Sequence, residues 1–135
     1  MIKLIIGKKG AGKTKRLVEM VNSAAETSLG NVVCIEKGVG LRFDIKPTVR
    51  LINTNEYLVF DAEALYGFVA GILASNHDVT DLFIDGTLRI CANDIAALEK
   101  LVEEIDILTV KREVNVVMTA SIAEEDASAI VKKYI

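Results

Sequence analysis

The first fourteen residues constrain the fold of this chain more than any other stretch. Ile2 to Ile6 is a short aliphatic run with one lysine, and it stops at Gly7. A run this brief, closed by a glycine, reads as a strand buried on both faces. Gly7, Gly10 and Gly12 then fall within the eight residues up to Thr14. From Lys13 to about Ser28 the apolar positions are Leu17, Val18, Val21, Ala24 and Ala25, which is helical spacing, with Gly30 as a stop signal. Asn31 to Ile35 is a second β-branched run. Strand, glycine turn, helix and strand in succession make a βαβ unit, and that crossover implies a parallel sheet.

The rest of the chain continues in the same style. Val39 to Asn55 reads as a loop followed by a short strand at Val49–Ile52. Asp61 caps a helix to Ala74, with Leu65, Phe68, Val69, Ile72 and Leu73 on its apolar face. Leu82-Phe83-Ile84-Asp85-Gly86 is a buried strand ending in an acid. Asp94 caps a helix to about Leu108, with Ile95, Leu98, Leu101, Val102 and Ile105 inward. Val114–Met118 is a further strand, and Ala123 to about Tyr134 a last helix. Tyr57, Phe60, Tyr66 and Phe68 read as core rather than as a stacking platform for a base. With no repeat or linker, residues 1–135 form one doubly wound α/β domain.

Composition narrows the function classes. The chain has 135 residues, 51% hydrophobic and 26% charged, which excludes a disordered or fibrous protein. No apolar run approaches the roughly 18 residues of a membrane span. A net charge of −3 argues against nucleic acid as the main partner. Cys34 and Cys91 sit in or beside apolar runs and read as buried free thiols, and the expected compartment is the cytoplasm. His77, the one histidine, lacks the partners of a metal site and reads as a surface loop residue.

The chemistry is concentrated in Gly7-Lys8-Lys9-Gly10-Ala11-Gly12-Lys13-Thr14, a full match to G-x-x-x-x-G-K-[ST]. Glycines let successive backbone amides point inward as an anion-binding nest, and the following helix adds the positive end of its dipole. Lys13 is placed to reach β- and γ-phosphate oxygens, and the Thr14 hydroxyl to ligate Mg²⁺. Lys8, Lys9, Lys15 and Arg16 crowd the loop, either as further phosphate charges or as solvated surface.

Through these eight residues the chain resembles the P-loop nucleoside-triphosphatase superfamily, whose Walker A motif they match; across the remainder it agrees in pattern only. The resemblance implies a three-layer α/β/α sandwich with a mostly parallel sheet of five strands, and ATP or GTP bound with Mg²⁺. It also implies a metal-holding acid at the end of another strand. Asp85, after Leu82-Phe83-Ile84, looks like that Walker B acid. Many relatives follow it with a glutamate that orients the attacking water, but here the next residue is Gly86. RecA-like ATPases place the glutamate at the end of the strand after the P-loop helix, where this chain has Glu36. Glu36 is therefore a candidate catalytic base with Lys13, or else a solvated loop acid beside Lys37. Thr119 and Ser121, at the close of the Val114–Met118 strand, stand where the superfamily often keeps a γ-phosphate sensor. The Walker B strand lies beside the first strand in kinases and GTPases, and one strand away in RecA-like ATPases.

Phosphate binding is well specified here, while the machinery for attack is not. The leading expectation is Mg-dependent nucleoside triphosphate binding, with weak or partner-dependent hydrolysis. The alternatives are a non-hydrolysing, nucleotide-dependent regulatory or assembly module, and a small-molecule or nucleoside kinase, for which the arginine-rich lid is missing. Arg42, Arg50 and Arg89 fall in loop-like segments, so none is singled out as a finger. A chain this short implies a protein partner or second subunit to complete the function.

Overall fold

In the computed structural model, which describes residues 1–135, the apolar runs form five strands. They are β1 (Ile2–Ile6), β2 (Asn31–Glu36), β3 (Arg50–Asn53), β4 (Val79–Ile84) and β5 (Asn115–Ala120). All pair in parallel, in the order β1-β5-β4-β2-β3. The first crossover therefore carries the chain past two strand positions that β4 and β5 later fill. The acid-tipped strand β4 stands one strand away from β1, with β5 between them.

Helices cover the sheet unequally. α1 (Lys13–Thr27) lies on one face, where Leu17 and Val21 pack with Ile5, Val32, Cys34, Phe83 and Val117. That layer is completed by loop residues Leu41, Ile45 and Val49 rather than by a second helix. α2 (Ala62–Ser75), the one-turn α3 (Thr87–Ile90), α4 (Ile95–Val110) and the short α5 (Ala129–Lys133) follow in chain order. Leu65, Val69, Leu98, Leu101, Ile105 and Val131 bury the opposite face against Leu4, Ile35, Leu82, Ile84 and Met118. The result is the expected α/β/α sandwich with one thick and one thin layer. No helix is long and apolar enough to cross a membrane.

Local chemistry explains most boundaries. The Asp61 side chain accepts from the Ala64 amide and the Asp94 side chain from the Ala97 amide, so both acids cap their helices. Several expectations need correction. The last segment does not form one helix from Ala123 to Tyr134. A 3₁₀ turn occupies Glu124–Asp126, extended backbone follows at Ala127, and Ser128 caps α5 by accepting from the Val131 amide. Ile95 does not point inward; at the first position of α4 it is exposed. Tyr57 and Phe60 are also exposed, because the chain turns through a 3₁₀ segment at Thr54–Tyr57 that lifts them off the core. His77, by contrast, lies exposed in the turn between α2 and β4, as expected of a surface loop residue.

Both thiols are buried and free. Burial pushes the Cys91 thiol up to about 12, and Cys34 is raised further by burial with Glu36 and Asp85 nearby. Neither should react with an aromatic disulfide reagent at pH 8 in the folded protein, whereas both should react once the chain is unfolded in denaturant. A thiol titrating promptly under native conditions would contradict this packing.

Candidate functional site

Strand parity places the candidate residues together. Side chains alternate along a strand, so Cys34 and Glu36, Phe83 and Asp85, and Val117 and Thr119 project toward the same face. Cys34, Phe83 and Val117 pack under α1, and the residues two positions on therefore emerge at its amino end. The register aligns these exits, with Ile5 opposite Thr119, Ile84 opposite Met118, and Ile35 opposite Ile84. Carboxyl ends of parallel strands are where ligands bind in open α/β sheets.

The Gly7–Thr14 loop bridges β1 and α1 over these exits. Gly10 and Gly12 both have φ of 86°, a left-handed conformation that disfavours side chains, and Gly12 stands at the N-cap of α1. The Lys13 Nζ donates to the Lys8 carbonyl at 2.9 Å, which folds the ammonium back over the loop. The Thr14 hydroxyl donates toward both carboxylate oxygens of Asp85, each at 3.2 Å. Thr119, fully buried and within β5 rather than beyond it, donates to Asp85 Oδ1 at 2.7 Å and accepts from the Gly86 amide at 2.8 Å. Ser121 lines the same cleft, of about 660 Å³, which has no apolar side chain in its wall.

Glu36 ends β2 rather than lying in a solvated loop, and it is only 5% exposed. The Leu41 amide donates to its two carboxylate oxygens at 3.3 and 3.2 Å. Burial raises its pKa above the ordinary carboxylate range, assisted by the Asp85 charge and opposed by the Leu41 and Gly40 amides and Arg89. It shares a second cleft, of about 390 Å³, with Thr14, Lys37, Asp44, Asp85 and Arg89. Thr14 and Asp85 belong to both clefts, so the two are contiguous.

The surrounding cations divide. Lys9 and Lys15 line the larger cleft, and Lys8 sits 3.7 Å from Glu125 in an exposed ion pair. Arg16 faces a separate depression between α1 and β1, β4 and β5. Arg89, in a loop-like stretch of the sequence, is on α3 and lines both clefts. The only signal for it was its position four residues after Asp85, too weak without the turn that follows Gly86.

A hydroxyl and a carboxylate meeting at 3.2 Å are hard oxygen donors suited to Mg²⁺, which keeps much of its water and needs few protein ligands. No group of three or more acids, histidines or cysteines is arranged to hold a metal ion by itself. Thr119 holds the Asp85 carboxylate and also satisfies the Gly86 amide. Thr119→Val is accordingly expected to cost about 1 kcal/mol in denaturant unfolding, from the loss of two hydrogen bonds and an unpaired, partly buried Gly86 amide. A neutral effect would show that this hydroxyl positions nothing.

An all-parallel α/β sheet in this order, with α1 at the exit of β1, defines a RecA-type fold. A KaiC-like protein from the hyperthermophilic archaeon Pyrococcus horikoshii has this architecture, with a TM-score of 0.70 over 98% of this chain at 13% sequence identity. This chain spans 66% of the length of that structure. In all, 113 solved chains match the backbone, so the likeness identifies an architecture rather than an activity. No family model and no curated protein matches the sequence.

Proposed function

We propose that the chain binds a nucleoside triphosphate, ATP in the first instance, together with Mg²⁺, and hydrolyses it slowly or when a partner completes the site. The observation that carries this reading is the meeting of Thr14 with Asp85. Two residues 71 positions apart, each the metal-side member of its own motif, share a contact at the carboxyl end of the sheet. In this reading the Gly7–Thr14 amides and Lys13 hold the phosphates, and Thr14 and Asp85 hold Mg²⁺. Thr119 orients Asp85 and, with Ser121, faces the γ-phosphate end. The metal, when bound, neutralises charge on the phosphates. Glu36, raised above the usual carboxylate range in the contiguous cleft, has the character of a base for a water held there.

A second reading has one specific observation in its favour. Glu36 is engaged by the Leu41 amide, and that loop is tied to α1 by two hydrogen bonds of Asn22, to the Asp44 carbonyl and the Lys46 amide. A nucleotide that drew Glu36 away would move the loop without turnover, as in a regulatory or assembly module awaiting a protein partner. Calorimetric titration with Mg·ATP, Mg·GTP and ATP in chelator, followed by steady-state phosphate release, tests both. Binding that needs Mg²⁺, with release above background, supports the hydrolase; binding without release supports the switch. Absence of binding to any triphosphate would overturn both.

A further inference from the structure

We propose that Arg89 is this chain's own γ-phosphate arginine, reaching the terminal phosphate from within the same subunit. The inference rests on the nucleotide reading and deepens it, because it supplies the positive charge that the sequence did not reveal.

The placement follows from the turn after β4. Where many relatives of the resembling superfamily carry a glutamate, this chain has Gly86 with φ of 66°, at the N-cap of α3. The turn is pinned by the Gly86 amide on Thr119 and by the Thr87 hydroxyl donating to the Ile84 carbonyl at 3.3 Å. Leu88 and Ile90 are buried, which leaves Arg89 on the open side of that turn. A Cβ added at residue 86 would stand 4.0 Å from Arg89 Cδ, so the arginine stem passes back over Gly86 toward the cleft.

Its head group is uncommitted. The two ion pairs of the chain are Lys8–Glu125 and Lys46–Glu26, and neither involves Arg89. It lines the larger cleft with Lys13, Thr14, Asp85 and Thr119, and the smaller one with Glu36. Besides Thr14 and Asp85, it is the one residue common to both walls. Its charge is felt at Glu36, where it opposes the effect of burial. A terminal phosphate held by Lys13, with its attacking water on the Glu36 side, lies at the seam that Arg89 overlooks. A guanidinium there is permanently charged and presents a planar fork matched to two phosphate oxygens.

The role belongs to the triphosphate rather than to the diphosphate, and that difference makes it measurable. In Mg²⁺, Arg89→Gln should leave ADP affinity within about twofold of the parent and weaken ATP about tenfold, with a larger loss for ADP with fluoroaluminate. Arg89→Lys, which keeps the charge but not the fork, should recover part of the ATP affinity. Unfolding midpoints measured alongside would show that an exposed side chain has been changed without loss of fold. Equal weakening of ADP and ATP, or parent-like binding of all three ligands by Arg89→Gln, overturns the assignment of Arg89 alone. A parent protein that binds no triphosphate overturns the nucleotide reading, and this assignment with it.

Discussion

Lys13→Ala is expected to remove half or more of the thermal stabilisation that Mg·ATP gives the parent chain while leaving the unliganded protein as stable as before. Lys13 is half-buried at the first position of α1, and its ammonium is returned over the loop by the Lys8 carbonyl at 2.9 Å. A charged hydrogen bond to phosphate contributes about 1.5–3 kcal/mol, so its loss weakens binding by about 10- to 100-fold. Ligand at a hundred times its Kd adds about 2.7 kcal/mol to stability; after a hundredfold loss of affinity the same concentration adds only about 0.4 kcal/mol. The folded protein without ligand should not suffer. A positive charge at a helix N-terminus opposes the macrodipole, and its removal is neutral or slightly favourable. The discriminating measurement is a pair of melting curves for each protein, with and without Mg·ATP. Parent-like stabilisation of the alanine variant would refute phosphate binding by this loop. A fall in the unliganded midpoint would instead assign Lys13 a structural part.

The sequence disclosed this site to different depths for physical reasons that can be named. The Gly7–Thr14 loop was legible because its demands are local: left-handed backbone at Gly10 and Gly12, then a helix beginning at once. Asp85 was legible as the acid closing a buried run. That Asp85 touches Thr14 and Thr119 depends on strand order, which no local pattern carries. The chain signalled a parallel sheet without saying that β5 would stand between β1 and β4. Glu36 was ambiguous because a glutamate after Val32-Val33-Cys34-Ile35 continues the strand or leaves it equally well. Its carboxylate is met by the Leu41 amide, a contact that requires the following loop to turn back. Arg89 was illegible because α3 is one turn long, too short for any periodicity. Two of the four aromatics failed for the opposite reason, while Tyr66 and Phe68 do pack against the core. Tyr57 and Phe60 are apolar enough to read as core, yet a 3₁₀ segment leaves both at the surface.

Glu36→Gln is expected to lower phosphate release by about 100-fold or more, to leave Mg·ATP affinity within a few-fold of the parent, and to make the protein more stable above the carboxylate range. The amide keeps an oxygen for the Leu41 N–H, so the loop retains its anchor while the charge is removed. Burial raises the folded-state pKa of Glu36, with Asp85 adding to the rise and the Leu41 and Gly40 amides and Arg89 opposing it. Its contribution to stability is therefore fully present below the unfolded pKa of about 4.3 and is lost as the pH climbs through the raised folded value. Glutamine does not titrate, so the difference in melting temperature between variant and parent should be near zero at low pH and should widen as the pH rises. A structural carboxylate, held down by the amides that bind it, would give the opposite slope, with the parent gaining on the variant. Gain of stability joined to loss of turnover is what a strained, desolvated base produces on neutralisation, since the burial that destabilises the carboxylate also brings its pKa nearer to working pH. Unchanged turnover, with a melting difference that closes or reverses as the pH rises, would leave Glu36 as the clamp of the Gly38–Val49 loop and would shift the weight to the switch reading.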